Sequence, residues 1–183
     1  MARMAMAAGG QPLALPSWHQ LCDRGPDLVL CLDFPKLSTG FATLASSSFV
    51  DACILHIRQS VLGQRLGSGD RLDTRARHWA REVLETGRVV SAVLGHRAGS
   101  ALATAVADAI AEAGRTPPAV VLFDATTVTG TRTGTPLFLS SRDHEPDHER
   151  SISLDVERDE LLNDPEVIKL VADLLKAEQS WSS

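Results

Sequence analysis

The chain has 183 residues, 44% of them apolar and 22% charged, which is about one domain's length and a globular mixture. A domain of this size buries roughly 70% of the surface its unfolded chain exposes, so it needs no disulfide or metal staple. Lys plus Arg number 18 against 23 for Asp plus Glu, a formal charge of -5 that argues against the basic footprint of a nucleic-acid binder, and the lack of any Tyr excludes a tyrosine acid.

The start, Met1 to Pro16, has an apolar run too broken for a signal segment and too short to span a bilayer. Residues 1–25 are therefore expected as an N-terminal extension, with a short helix over Ser17 to Arg24, and residues 26–183 as one domain. Leu28 to Leu32 is a continuous apolar run, the pattern of a strand covered on both faces. The loop Asp33 to Gly40 follows, then a helical turn over Phe41 to Ser47 and a second strand over Ala52 to Ile57. Asp73 is a good N-cap for a helix running through Trp79 and Leu84 to a stop at Gly87. Arg88 to Leu94 reads as the third strand, Gly95 to Gly99 as a tight turn, and Ser100 to Ala113 as an Ala-rich helix ending at Gly114. Strands are expected at Ala119 to Phe123, Leu137 to Leu139 and Ile152 to Val156, with Thr126 to Thr135 and Ser140 to Arg150 as loops. Pro165 opens a final helix whose Val167, Leu170, Val171, Leu174 and Leu175 share one face. Strands alternating with helices imply an α/β fold with a mostly parallel sheet flanked by helices.

The sharpest motif is strand, Gly95-His96-Arg97-Ala98-Gly99, helix. This is the frame of a nucleophile elbow, G-x-S-x-G, with Arg97 at the serine position. In so sharp a turn the flanking side chains would collide with the chain itself, so both flanks are glycine and the central residue is thrust out over the sheet. The wider run Leu94 to Ala103 resembles the LGHSxGG-A-LA pattern of α/β-hydrolase thioesterases. Ala113-Gly114-Arg115-Thr116-Pro117-Pro118 followed by Val120 to Asp124 is similar to the corresponding stretch of polyketide-synthase and nonribosomal-peptide-synthetase thioesterases.

The resemblance covers roughly residues 26 to 176 and implies a shortened, lidless α/β-hydrolase core. It implies that Leu30 to Pro35 forms the oxyanion strand and loop, and that Asp124 stands at the triad acid, with Asp143 at the alternative acid position. It also marks two departures. Arg97 replaces the nucleophile, and a guanidinium cannot attack an acyl carbon. In the histidine loop, anchoring on Asp159 puts Glu160 at the histidine, whereas anchoring on Asn163-Asp164-Pro165 puts Arg158 there.

Two readings follow. In one, the chain binds a polyketide-like small molecule and promotes cyclisation or proton transfer. Arg97 then holds a carbonyl or carboxylate, His96, Phe34 and Lys36 line the site, and Asp124, Asp143 or Glu160 is the base. In the other, it is a non-catalytic partner of an acyl carrier protein or a biosynthetic enzyme, with Arg97 tied up by Asp124 or Asp33. An ordinary thioesterase hydrolase is the least favoured alternative. No cofactor, metal, nucleic acid or membrane is expected.

His144 and His148 lie four apart, but Pro146 between them breaks the helix a metal site would need. His56 is expected buried or at a strand end. Cys22, Cys31 and Cys53 follow no ligand spacing and read as reduced thiols of a cytoplasmic protein, with Cys31 and Cys53 in the core. A trimmed sheet exposes an edge and an apolar floor. Either Gln11 to Leu21 folds back over the core, or two chains pair as a homodimer, which is the favoured arrangement.

Overall fold

In the computed structural model, which describes residues 12–33, 40–58, 72–125, 135–142 and 150–181, alternate side chains of each central strand feed two separate cores. The strands are β1 (Trp18–Asp23), β2 (Leu28–Leu32), β3 (Cys53–Ile57), β4 (Val90–His96), β5 (Ala119–Phe123), β6 (Leu137–Ser140) and β7 (Ser151–Ser153). The helices are α1 (Gly40–Ser46), α2 (Leu72–Leu84), α3 (Gly99–Glu112) and α4 (Pro165–Trp181). Leu28, Leu30 and Leu32 of β2 pack with Trp79 and Ala80 of α2 and Val106 and Ile110 of α3. Val29 and Cys31 point the other way and pack with Phe41 and Leu44 of α1 and Val167 and Val171 of α4. A strand's period of two thus makes a three-layer αβα sandwich from one unbroken apolar run.

Among the described residues the strands form a seven-stranded sheet in the order β1-β3-β2-β4-β5-β6-β7. β1 is antiparallel to β3, and every other pairing is parallel. Parallel strands end on the same edge, so the residues following β2, β4, β5 and β6 are gathered there, next to the central strand β4. Ligands of open α/β sheets bind at that edge.

The expected helix over Ser17 to Arg24 is instead the strand β1. Its backbone pairs with β3 from Trp18↔Ile57 to Asp23↔Cys53, so sheet pairing overrides the weak local helical pattern. β1 also lies within the stretch expected as an extension. The N-terminal segment also folds back: Leu13 and Leu15 pack on the α2–α3 core, and the indole N–H of Trp18, the first residue of β1, donates to Trp79 O at 3.3 Å. Ser17 N and Oγ donate to the buried Glu82 carboxylate at 2.9 and 2.7 Å. β4 runs two residues further than expected, into the turn, and the last strand is shorter, stopping at Ser153.

Cys31 and Cys53 are buried and Cys22 is half-buried, all three as free thiols. Burial pushes the Cys53 thiol up to about 11, and burial followed by the charge of Asp33 raises Cys31. Both stay protonated and unreactive at neutral pH. Among the described residues no helix is long and apolar enough to cross a membrane.

Candidate functional site

The turn from β4 to α3 is set by crowding around its two glycines. A Cβ on Gly99 would lie 2.1 Å from Leu32 O and 2.7 Å from Leu32 C, and one on Gly95 would lie 2.7 Å from Ser100 Cα. Neither glycine has a positive φ, so close approach alone explains them. The strained residue is Arg97, with φ 51°. An L-residue pays about 1–2 kcal/mol there. The surroundings hold it: Arg97 N donates to Phe123 O at 2.8 Å, and Ser100 N donates to Arg97 O at 3.0 Å.

Two ion pairs join the carboxyl ends of β4 and β5 to the 157–164 loop. Arg97 Nη2 donates to Asp159 Oδ1 at 2.8 Å and makes a weaker contact with Arg158 O at 3.4 Å. Arg158 Nε lies 3.7 Å from Asp124 Oδ2. Asp124, fully buried and itself at φ 45°, accepts a hydrogen bond from Ser141 N at 2.8 Å, and Ser141 Oγ lies 2.9 Å from both of its carboxylate oxygens. The sequence suggested Asp124 or Asp33 as the partner of Arg97, but Asp159 takes that place. Asp33 is already engaged by His56 Nε2 at 2.7 Å, and Asp124 by Ser141 and Arg158. The hydrogen bond from Arg97, and then its charge, hold the Asp159 carboxyl below the usual carboxylate range.

His96 is buried, and among the described residues its Nε2 has no hydrogen-bond partner, nor has Arg97 Nε or Ser100 Oγ. Burial, then the charge of Arg97, lower the His96 pKa, against an opposite pull from Asp33 and Asp124. The folded protein thus refuses a proton that the unfolded chain accepts near pH 6.5. Stability from this residue is complete above about pH 6.5 and is lost as pH falls toward the lowered folded value. His96→Gln is expected to remove that loss, so its urea-unfolding free energy falls less than wild type's between pH 7.5 and pH 5. Equal declines in the two proteins would refute this role for His96.

Glu160 is exposed in the same loop as Arg158 and Asp159. The structure thus brings Arg97, His96, Asp124 and Glu160 to one end of the sheet. Phe34, Lys36, Asp143, His144 and His148 lie outside the described residues, as does the expected loop 126–134. Among the described residues no group of three or more His, Cys, Asp or Glu is placed to hold a metal. Sequence reasoning missed Ser141 and the Asp33–His56 pair. Each joins the ends of two neighbouring strands, 17 and 23 residues apart in sequence, and a single Ser after a strand carries no local signature. Three cavities with described walls lie away from the turn: one of about 530 Å³ between Arg77, Leu84, Ala109 and Arg115, one of about 350 Å³ between Leu15, His78, Glu82 and Thr86, and one of about 200 Å³ between Pro117, Leu137, Arg150 and Leu174.

The chain matches no protein-family model and no curated relative. Its fold is similar to those of several solved thioesterases. The Vlm2 thioesterase domain aligns at 13% identity over 88% of this chain and 96% of that one, with a TM-score of 0.61. The NocB thioesterase domain from the nocardicin cluster aligns at 14% identity over 90% and 99%, with a TM-score of 0.62. YbtT, a type II thioesterase from the yersiniabactin NRPS/PKS biosynthetic pathway, aligns at 10% over 87% and 97%, with a TM-score of 0.62. The likeness establishes the fold as a compact, thioesterase-like α/β fold.

Proposed function

We propose that this chain is a thioesterase-like protein of polyketide or peptide natural-product biosynthesis that has given up acyl-enzyme hydrolysis and acts by binding. In this reading the elbow takes a polyketide-like or acyl small molecule, free or presented by an acyl carrier protein, and Arg97 is its carbonyl or carboxylate contact. One observation carries the reading. The elbow residue Arg97 and the loop residue Arg158 are both cations, each neutralised by an acid, where acyl transfer needs a nucleophile and a base. The fold likeness to domains from natural-product pathways supports the biological setting.

Cyclisation by proton transfer is the second reading, and exposed Glu160 beside the Arg97–Asp159 pair favours it as the base. Asp124 fits that role poorly, because its oxygens are occupied by Ser141 and faced by Arg158. The N-terminal fold-back already covers part of the sheet, so neither reading requires a homodimer.

The test is covalent labelling. NocB forms a covalent complex with a fluorophosphonate nocardicin G analog, which makes it the positive control. A fluorophosphonate is expected to leave this protein unlabelled, and acyl thioesters and p-nitrophenyl esters are expected to turn over at the background rate. Arg97→Ser is expected not to restore turnover, since the 157–164 loop brings Arg158 and Asp159, not a histidine, to the turn. Stoichiometric labelling of a serine, for instance Ser38 or Ser100, would overturn the reading.

A further inference from the structure

The Arg97 guanidinium is only partly used. Nη2 donates to Asp159 Oδ1 at 2.8 Å and contacts Arg158 O at 3.4 Å, whereas Nε, whose N–H lies beside it in the same plane, is buried and has no hydrogen-bond partner among the described residues. Those two N–H groups form the fork that a carboxylate's two oxygens match. The chain therefore holds half of a bidentate bond. The acid on the occupied side is weakly anchored, because the Asp159 side chain is 93% exposed and exposed pairs contribute little.

Buried polar groups are ordinarily paired. Among the described residues, three unpaired ones fall in the five-residue stretch 96–100: Arg97 Nε, His96 Nε2 and Ser100 Oγ, with His96 only 8% and Ser100 only 1% exposed. The concentration singles out the elbow rather than the neighbouring acids, which are paired. Charge narrows the ligand class. Asp33 and Asp124 already stand close enough to His96 to influence its titration. Exchanging the Asp159 carboxylate for another carboxylate leaves the charge on Arg97's partner unchanged, whereas a phosphate dianion would add a charge beside them.

We propose that Arg97 is a carboxylate-binding fork capped by an internal competitor, in which Asp159 holds one prong and a ligand carboxylate displaces it to take both. The site then recognises an acyl chain ending in a free carboxylate in preference to a thioester or amide carbonyl. The 157–164 loop sets its affinity. This inference rests on the reading of the elbow as a binding site.

Calorimetric titration with octanoate, octanamide and inorganic phosphate tests it. Octanoate is expected to bind wild type, and Asp159→Asn is expected to tighten it about two- to fivefold, the range set by the small worth of an exposed pair. Arg97→Ala is expected to weaken octanoate roughly tenfold or more, and in that background Asp159→Asn is expected to have no effect. Octanamide is expected to gain nothing from Asp159→Asn, and phosphate is expected not to compete. Should Arg97→Ala fail to fold, Arg97→Lys serves instead. It keeps the charge, lacks the fork, and is expected to weaken octanoate while leaving octanamide unchanged.

Three results would overturn the inference: equal octanoate affinity in wild type and Asp159→Asn, octanamide binding as tightly as octanoate, or no octanoate binding to Asp159→Asn at about 10 mM. Any of these together with an unlabelled protein removes the capped fork and leaves the non-hydrolytic reading standing. Fluorophosphonate labelling removes that reading whatever octanoate does.

Discussion

Gly99→Ala is expected to destabilise the protein by about 3 kcal/mol or more, at the upper end of the cost of overpacking a core. The added carbon would fall 2.1 Å from Leu32 O, 2.7 Å from Leu32 C and 2.9 Å from Asp33 Cα, all main-chain atoms. No side chain is available to swing aside. β2 cannot yield either, because it is paired to β3 on one side and β4 on the other and is buried along its whole length. Gly114→Ala is the contrast. Its Cβ would meet nothing within 4 Å, and only its positive φ of 75° opposes the change, at about 1–2 kcal/mol. Urea denaturation of both variants checks the ranking. A Gly99→Ala protein as stable as Gly114→Ala would show that the close approach to β2 does not govern the turn.

Asp124→Ala is expected to cost about 3 kcal/mol, although the residue touches no solvent and has no hydrolytic role in this reading. Its removal strands the buried Ser141 N–H, which has donated to Oδ1, and leaves Arg158 without the acid it faces. Ser141→Ala removes only the hydroxyl contacts and keeps the backbone bond, so a smaller loss of about 1 kcal/mol is expected. Thermal denaturation of the two variants separates the carboxylate's contribution from the hydroxyl's. An unchanged melting temperature in Asp124→Ala would mean that this acid does not tie β5 to β6 and the last loop.

The αβα order was legible in the sequence because its carriers are local. Leu28 to Leu32 and Ala119 to Phe123 are apolar runs of strand length, and α4 shows a helical stripe from Val167 to Leu175. The elbow was legible for the same reason, since two glycines four apart between a strand and a helix have one geometric explanation. β1 was not. The run Trp18–Asp23 has no decisive period, and it is a strand only because β3, some thirty residues later, presents an open edge to it. The partners at the elbow were equally hidden. Arg97 has acids after several strands to choose from, and which one it meets depends on how His56, Ser141 and Arg158 have already engaged the others. Sequence lists the charges, but their pairing is a property of three dimensions.

The forces that shape the β4–α3 turn act on its backbone and on the space around its two glycines. Gly99 answers to a carbonyl and Cα neighbours, Gly95 to Ser100 Cα and the Ala103 and Leu122 side chains, and the φ of Arg97 is fixed by bonds from its own N–H and to its own carbonyl. None of them reads the side chain at position 97. The scaffold is in effect a mount with an interchangeable tip, held at the carboxyl edge of a rigid sheet and indifferent to what it displays. A protein so built can change the group it displays by one substitution without refolding its core. Position 97 is accordingly where a designer seeking a new binding or reactive group on this fold would begin.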